Sequence, residues 1–203
     1  MQVRLSTAER QAEMVAAALR LCRDGSPALI TTGDIAAAVG VTQGAVFKHF
    51  PSKDAIWLAA MVWVREQLLA ALSQAAQAAP APLEGLRAVF GAHIDFVGTH
   101  PGVPRLIFHE LQQPGDSLVK QEVRGLLQAY RKLLMSQLAA AAEQGLLTPD
   151  LDREAAATLF VGIVQGLVMQ AMLSGQPQIE RAQAERVFSI YVRGICRSIG
   201  SST

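Results

Sequence analysis

Glycine and proline punctuate this chain at intervals, and between the breaks no alternating run of β-branched residues occurs. The breaks fall at Gly25-Ser26-Pro27, Gly40, Pro51, Pro80-Ala81-Pro82, Pro101-Gly102, Pro114-Gly115, Thr148-Pro149-Asp150 and Gly175-Gln176-Pro177. Such punctuation ends helices, and without alternation no strand can offer one buried and one wet face. The intervening text is dominated by Ala and Leu, with aromatics at only 5%, a composition that favours helix. The expected fold class is all-α, with about nine helices between the breaks. Their expected spans are 6–24, 33–39, 43–49, 52–78, 83–99, 102–111, 115–144, 152–174 and 179–199. Ser6 with Glu9 three residues on reads as a capping box for the first helix. Ser52, with Asp54 in the first turn, caps the long fourth one.

Hydrophobic residues make up 51% of the 203 and charged residues 17%, a balance that excludes a disordered chain. A mean hydropathy of +0.26 raises the question of a membrane span, which needs about 18 consecutive apolar residues. The longest candidate, Ala155 to Leu173, is interrupted by Thr158, Gly162, Gln165, Gly166 and Gln170. It is expected to be a helix buried on several faces, one of them against another subunit. No charged segment followed by an apolar one opens the chain, so a cytoplasmic location without membrane partner is expected. Cys22 and Cys196 lie at opposite ends and form neither a disulfide framework nor a metal motif.

The net charge of +1 is unevenly spread. Residues 1–53 carry Arg4, Arg10, Arg20, Arg23, Lys48 and Lys53 against Glu9, Glu13, Asp24 and Asp34. Between Asp34 and Asp54 there is no acid, while Lys48, His49 and Lys53 stand there together. A small local positive face suits a duplex-DNA contact better than a general polyanion binder.

The stretch from Thr31 to Phe50 contains two short helical segments joined at Gly40. Ile35, Val39, Val41, Val46 and Phe50 can form their shared core, and Ala36 is small enough to let the second helix approach. Gly40 sits where the chain must turn, with positive φ expected. Thr42 caps the second segment, which is too short to stand alone. A helix held by its neighbours while exposing a polar face is what a recognition helix requires. Gln43 can bond base edges, and Gly44 and Ala45 allow close backbone approach or contact with a thymine methyl. Lys48, His49 and Lys53 can reach phosphates, as can the hydroxyls of Thr31 or Thr32. Arg4 and Arg10 are candidates for a basic arm in a minor groove.

The run Ile-Ala-x-x-x-Gly-Val-Thr-x-Gly-x-Val-Phe-x-His-Phe-x-x-Lys-x-x-Ile, from Ile35 to Ile56, resembles the signature of TetR-family regulators. The resemblance covers about residues 6 to 60. It implies a three-helix DNA-binding head over residues 1–53 and a ligand-binding, dimerising helical body over residues 54–203, linked by the helix at about 52–78. It also implies a homodimer built from the last two long helices, on double-stranded DNA with a palindromic operator. Where the family usually has Tyr, this chain has Phe47. The phosphate-bonding hydroxyl is lost, leaving Phe47 to stack against the sugar-phosphate wall or pack.

In the body, Gly162-x-x-x-Gly166 makes a flat helix face, and Phe188, Tyr191, Val192 and Ile195 follow at matching spacing on the last helix. These six are the expected dimer interface. Phe90, His93, Phe96, Phe108, His109, Tyr130, Met135, Gln165 and Met169 are the candidate lining of an apolar pocket with a few hydrogen bonds. The body histidines raise a metal-responsive alternative, but no H-x-x-x-H or Cys–His spacing supports a metal site. No Ser-His-Asp context or Gly-rich phosphate loop points to an enzyme. The expected function is a repressor released from its operator by a small apolar or amphipathic effector of unknown identity, with no other cofactor. An effector-independent DNA-organising dimer is the alternative from another class.

Overall fold

The computed structural model describes residues 6–175 and 179–197. Among them stand nine α-helices: α1 (Thr7–Asp24), α2 (Thr32–Ala38), α3 (Gln43–Phe47), α4 (Lys53–Ala78), α5 (Pro82–Thr99), α6 (Gly102–Gln112), α7 (Leu118–Glu143), α8 (Arg153–Leu173) and α9 (Arg181–Ile195). Arg4 and the Gln176-Pro177 break lie outside the described residues.

Local chemistry explains most of the ends. The Ser6 hydroxyl accepts from the Glu9 amide, and the Glu9 carboxylate accepts from the Ser6 amide. Thr31 and Asp34 repeat this reciprocal arrangement at the start of α2. These hydrogen bonds hold both the Glu9 and the Asp34 carboxyl below the usual carboxylate range. Three expected spans are corrected. The third helix stops at Phe47 rather than at residue 49. The seventh begins at Leu118 rather than 115, because Gly115 turns left-handed (φ +79°) and the Ser117 hydroxyl accepts from the Lys120 amide. The ninth stops at Ile195, after which Cys196 pairs with Leu147 in an isolated antiparallel bridge.

Packing divides the chain into two compact units, and not at residue 53. The first comprises residues 1–66 and 100–125, the second residues 67–99 and 126–203. α4 and α7 each contribute turns to both.

In the first unit, α6 packs on α1 at very close range. A Cβ on Gly102 would fall well inside contact distance of the Leu19 carbonyl oxygen and 3.0 Å from the Cβ of Cys22. Val103, Pro104 and Leu106 are buried with it. Burial also pushes the Cys22 thiol up to about 12. Trp63 of α4 meets the His100 ring edge-on at 5.2 Å, and Arg65 pairs with Glu122 at 3.1 Å.

The second unit is centred on aromatic rings. Phe160 of α8 meets Phe90, Tyr130, Phe188 and Tyr191 edge-on, with centroids 5.5–6.2 Å apart. The Tyr191 hydroxyl donates to the carbonyl of Ala156 at 3.2 Å. Two described helices, α4 and α8, are long and apolar enough to cross a membrane by length and composition. Each places part of its apolar surface in a core: Ile56, Met61, Val64 and Leu72 from α4, and Phe160, Val164, Leu167 and Val168 from α8.

Candidate DNA-contact face

The first unit builds its exposed polar face from the turn outward. Gly40 has φ +70°, the left-handed turn expected between α2 and α3. Ile35, Val46 and Phe50 are buried beneath, together with Ala36, while Val39 and Val41 are half-buried. The Thr42 hydroxyl caps α3 by accepting from the Ala45 amide at 3.3 Å. Five residues of helix are thus held by a cap at one end and apolar contacts below.

Above that support, Thr31, Thr42, Gln43, Gly44, Phe47 and Lys48 are exposed, with Thr32 and Ala45 partly so. Gln43 is ordered rather than free: its Nε2 donates to the Thr32 hydroxyl at 2.8 Å. A Cβ on Gly44 would meet nothing closer than the Thr42 hydroxyl at 4.0 Å, so no internal packing requires glycine there. Phe47 leaves about half of its surface, 49%, open.

Two residues expected on this face are engaged elsewhere. The three hydrogen bonds of the Lys53 ammonium go to the carbonyls of Pro27, Ala28 and Ile30, at 3.3, 3.0 and 3.0 Å. Lys53 therefore fastens the α1–α2 loop to the first residue of α4 instead of reaching outward. His49 is half-buried, its Nδ1 has no hydrogen-bond partner among the described residues, and its carbonyl accepts from Gln11 Nε2 at 3.0 Å. Gln11, which no sequence motif marks, thereby ties α1 to the end of the α3 turn. A polar residue on a helix surface gives no periodic signal for such a role. Arg10 pairs with Glu13 at 2.7 Å.

The candidate pocket residues are distributed over both units. Phe90 and Tyr130 are buried in the aromatic centre of the second unit, with Phe96 buried and Met135 half-buried in the same unit. Phe108 and His109 belong to the first unit, where His109 lies near Gln113 at the exposed end of α6. Gln165 and Met169 lie on the exposed side of α8 with Gly162 and Gly166.

Of the six residues expected at the dimer face, Gly162 and Gly166 are exposed on α8. Phe188, Tyr191 and Ile195 are 1–3% exposed and belong to the protomer's own core, with Val192 half-buried. On α8 and α9 the exposed large apolar residues are Leu159, Met169, Leu173 and Ile190. α8 is apolar on nearly every side, so periodicity alone could not choose its inward face. Among the described residues no group of three His, Cys, Asp or Glu is placed to hold a metal ion.

His93 Nδ1 lies 3.2 Å from the Tyr130 hydroxyl. Part of the residue reaches the surface, but burial of the imidazole lowers its pKa from 6.5 to about 4. The folded state thus binds its proton more weakly than the unfolded chain. Stability is expected to be complete above pH 6.5 and to fall as pH drops towards 4, by at most roughly 1.4 kcal/mol per pH unit. Urea unfolding across this range, compared with His93→Gln, tests the prediction; equal slopes in both proteins would refute it.

Residues 14–60 match the family described as bacterial regulatory proteins of the tetR family, and residues 114–197 match the C-terminal region of BetI-type transcriptional repressors. The nucleoid occlusion factor SlmA of Sodalis glossinidius (strain morsitans) is 31% identical over 41% of this chain and 42% of its own length. The chain thus spans about two fifths of the length of such curated relatives. Among solved structures, FadR from Bacillus subtilis in complex with stearoyl-CoA superposes with a TM-score of 0.78 at 19% identity, covering 91% of this chain and 98% of that one. KstR2 of Mycobacterium tuberculosis, a ketosteroid transcriptional regulator, gives 0.74 at 22%, covering 97% and 98%. These two likenesses are of fold.

Proposed function

The chain belongs to the TetR family of bacterial regulatory proteins, and from that premise we propose that it is a DNA-binding repressor released from a palindromic operator by a small apolar or amphipathic ligand. The observation that carries this reading is the α3 face. Gln43, Gly44, Phe47 and Lys48 stand open while His49 and Lys53 brace the support from within. Gln43 reads a base edge, Gly44 admits the backbone, and Lys48 and the Thr31 and Thr32 hydroxyls meet phosphates. Phe47 lies against the sugar-phosphate wall.

A palindrome requires two heads, so the protein acts as a homodimer. The exposed residues Leu159, Gly162, Gly166, Met169 and Leu173 of α8, with Ile190 of α9, provide a face for a second copy. Burial against that copy accounts for an α8 that is apolar on both its inner and outer sides. The effector binds in the body. FadR was solved with stearoyl-CoA, which makes an acyl or similarly amphipathic compound a reasonable first probe. Release requires that the effector bind the DNA-free arrangement more tightly, and linkage then makes operator weaken effector by the same factor.

The test is a binding selection from genomic fragments with purified protein, followed by footprinting of the strongest site across a salt series. Two symmetric half-sites are expected. Gln43→Ala should cost about 1–3 kcal/mol at one base pair of each, and Lys48→Ala should reduce the salt slope by about one phosphate contact. Uniform, purely salt-governed binding would overturn the operator and favour a DNA organiser.

A further inference from the structure

From the hydrogen bond between Gln43 and Thr32, and building on the DNA-binding reading above, we propose that Thr32 is a positioning residue that makes Gln43 select adenine. The Gln43 amide has an oxygen that accepts and an NH2 that donates twice. In this structure Nε2 faces the Thr32 hydroxyl at 2.8 Å. One N–H is thereby engaged. The other N–H and Oε1 remain for the DNA, side by side as one donor and one acceptor.

That pair complements only one purine in the major groove. Adenine offers the N7 acceptor beside the N6 donor, whereas guanine offers two acceptors, N7 and O6. Turning the amide over would place Oε1 on Thr32 and present two N–H groups outward, the complement of guanine. The orientation of one amide therefore decides which base is read.

Thr32 sets that orientation through the single proton of its hydroxyl. No described protein group other than Gln43 shares a hydrogen bond with this hydroxyl. On DNA, the hydroxyl proton is donated to a phosphate oxygen, and only lone pairs are left towards Gln43. The amide must then meet Thr32 with Nε2. A contact that carries no sequence information by itself thus fixes the one that does.

The experiment measures the affinity of the full-length protein for operator variants carrying each base pair at the position whose preference disappears in Gln43→Ala. The wild type is expected to prefer adenine there. Thr32→Val, which keeps the shape and removes the hydroxyl, should lower the adenine-over-guanine preference by about fivefold or more and leave the other positions unchanged. Thr32→Ser should restore it. Guanine preferred by the wild type, or an unchanged preference in Thr32→Val, would overturn the proposal. So would a loss in Thr32→Val that is uniform over all sequences, which would mark a phosphate contact alone. These failures leave a sequence-specific regulator standing. Absence of any base preference in the wild type would instead remove the regulator reading along with the inference.

Discussion

Phe160→Ala is expected to destabilise the second unit by about 3–5 kcal/mol, the range for removing a fully buried aromatic ring. Phe160 is 1% exposed, and its ring is the shared neighbour of Phe90, Tyr130, Phe188 and Tyr191. Truncation removes four edge-on contacts at once and leaves a cavity walled by rings from α5, α7 and α9. The surrounding side chains are large and planar, so they cannot collapse into the gap as flexible aliphatic chains would. The chain supplies its own probes. Both tyrosines, Tyr130 and Tyr191, lie in the second unit, and both tryptophans, Trp57 and Trp63, in the first. Denaturant unfolding followed by tyrosine near-ultraviolet dichroism should show the loss in the second unit. A change below about 1 kcal/mol would contradict the role assigned to Phe160.

Gly102→Ala is expected to cost the first unit about 3 kcal/mol, at the upper end of what overpacking exacts. The added methyl meets the Leu19 carbonyl, which belongs to the backbone of α1 and cannot rotate aside. Either α6 withdraws from α1 or α1 bends, and each loses the burial of Val103 and Leu106. Gly85→Ala is the control: its methyl would run into the side-chain oxygen of Gln137, which a change of rotamer moves away. Unfolding followed by tryptophan fluorescence for Gly102→Ala in the first unit, and by tyrosine near-ultraviolet dichroism for Gly85→Ala in the second, should separate the two, with a large shift for Gly102→Ala and a small one for Gly85→Ala. Equal shifts would show that the α1–α6 approach is not the tight point.

Much of this was legible in the amino acids. Helix boundaries were readable where a cap announces itself, as at Ser6, Thr42 and Ser52, and the turn at Gly40 where only a positive φ lets α3 follow α2. The open positions of α3 and its end, Gln43, Gly44, Phe47 and Lys48, followed from the motif. Three things did not. Lys53 and His49 look like any basic residues beside a recognition helix, and only the fold shows carbonyls or Gln11 within their reach. Phe188, Tyr191 and Ile195 share one helix face, but spacing does not say whether that face meets its own chain or another. The pocket candidates came from residue type, which carries no information about which unit a side chain enters.

The mooring of Lys53 has a mechanical meaning. It is the first residue of a 26-residue helix, and its ammonium is made fast to three carbonyls of the loop before α2. A beam fixed this way cannot swivel at its end. The start of α4 and the loop that leads into α2 therefore share one polar anchor, and a change in either is felt by the other. Lys53→Met, which keeps the stem and removes the ammonium, should free the start of α4 from the α1–α2 loop and lower the stability of the first unit, as read by tryptophan-detected unfolding.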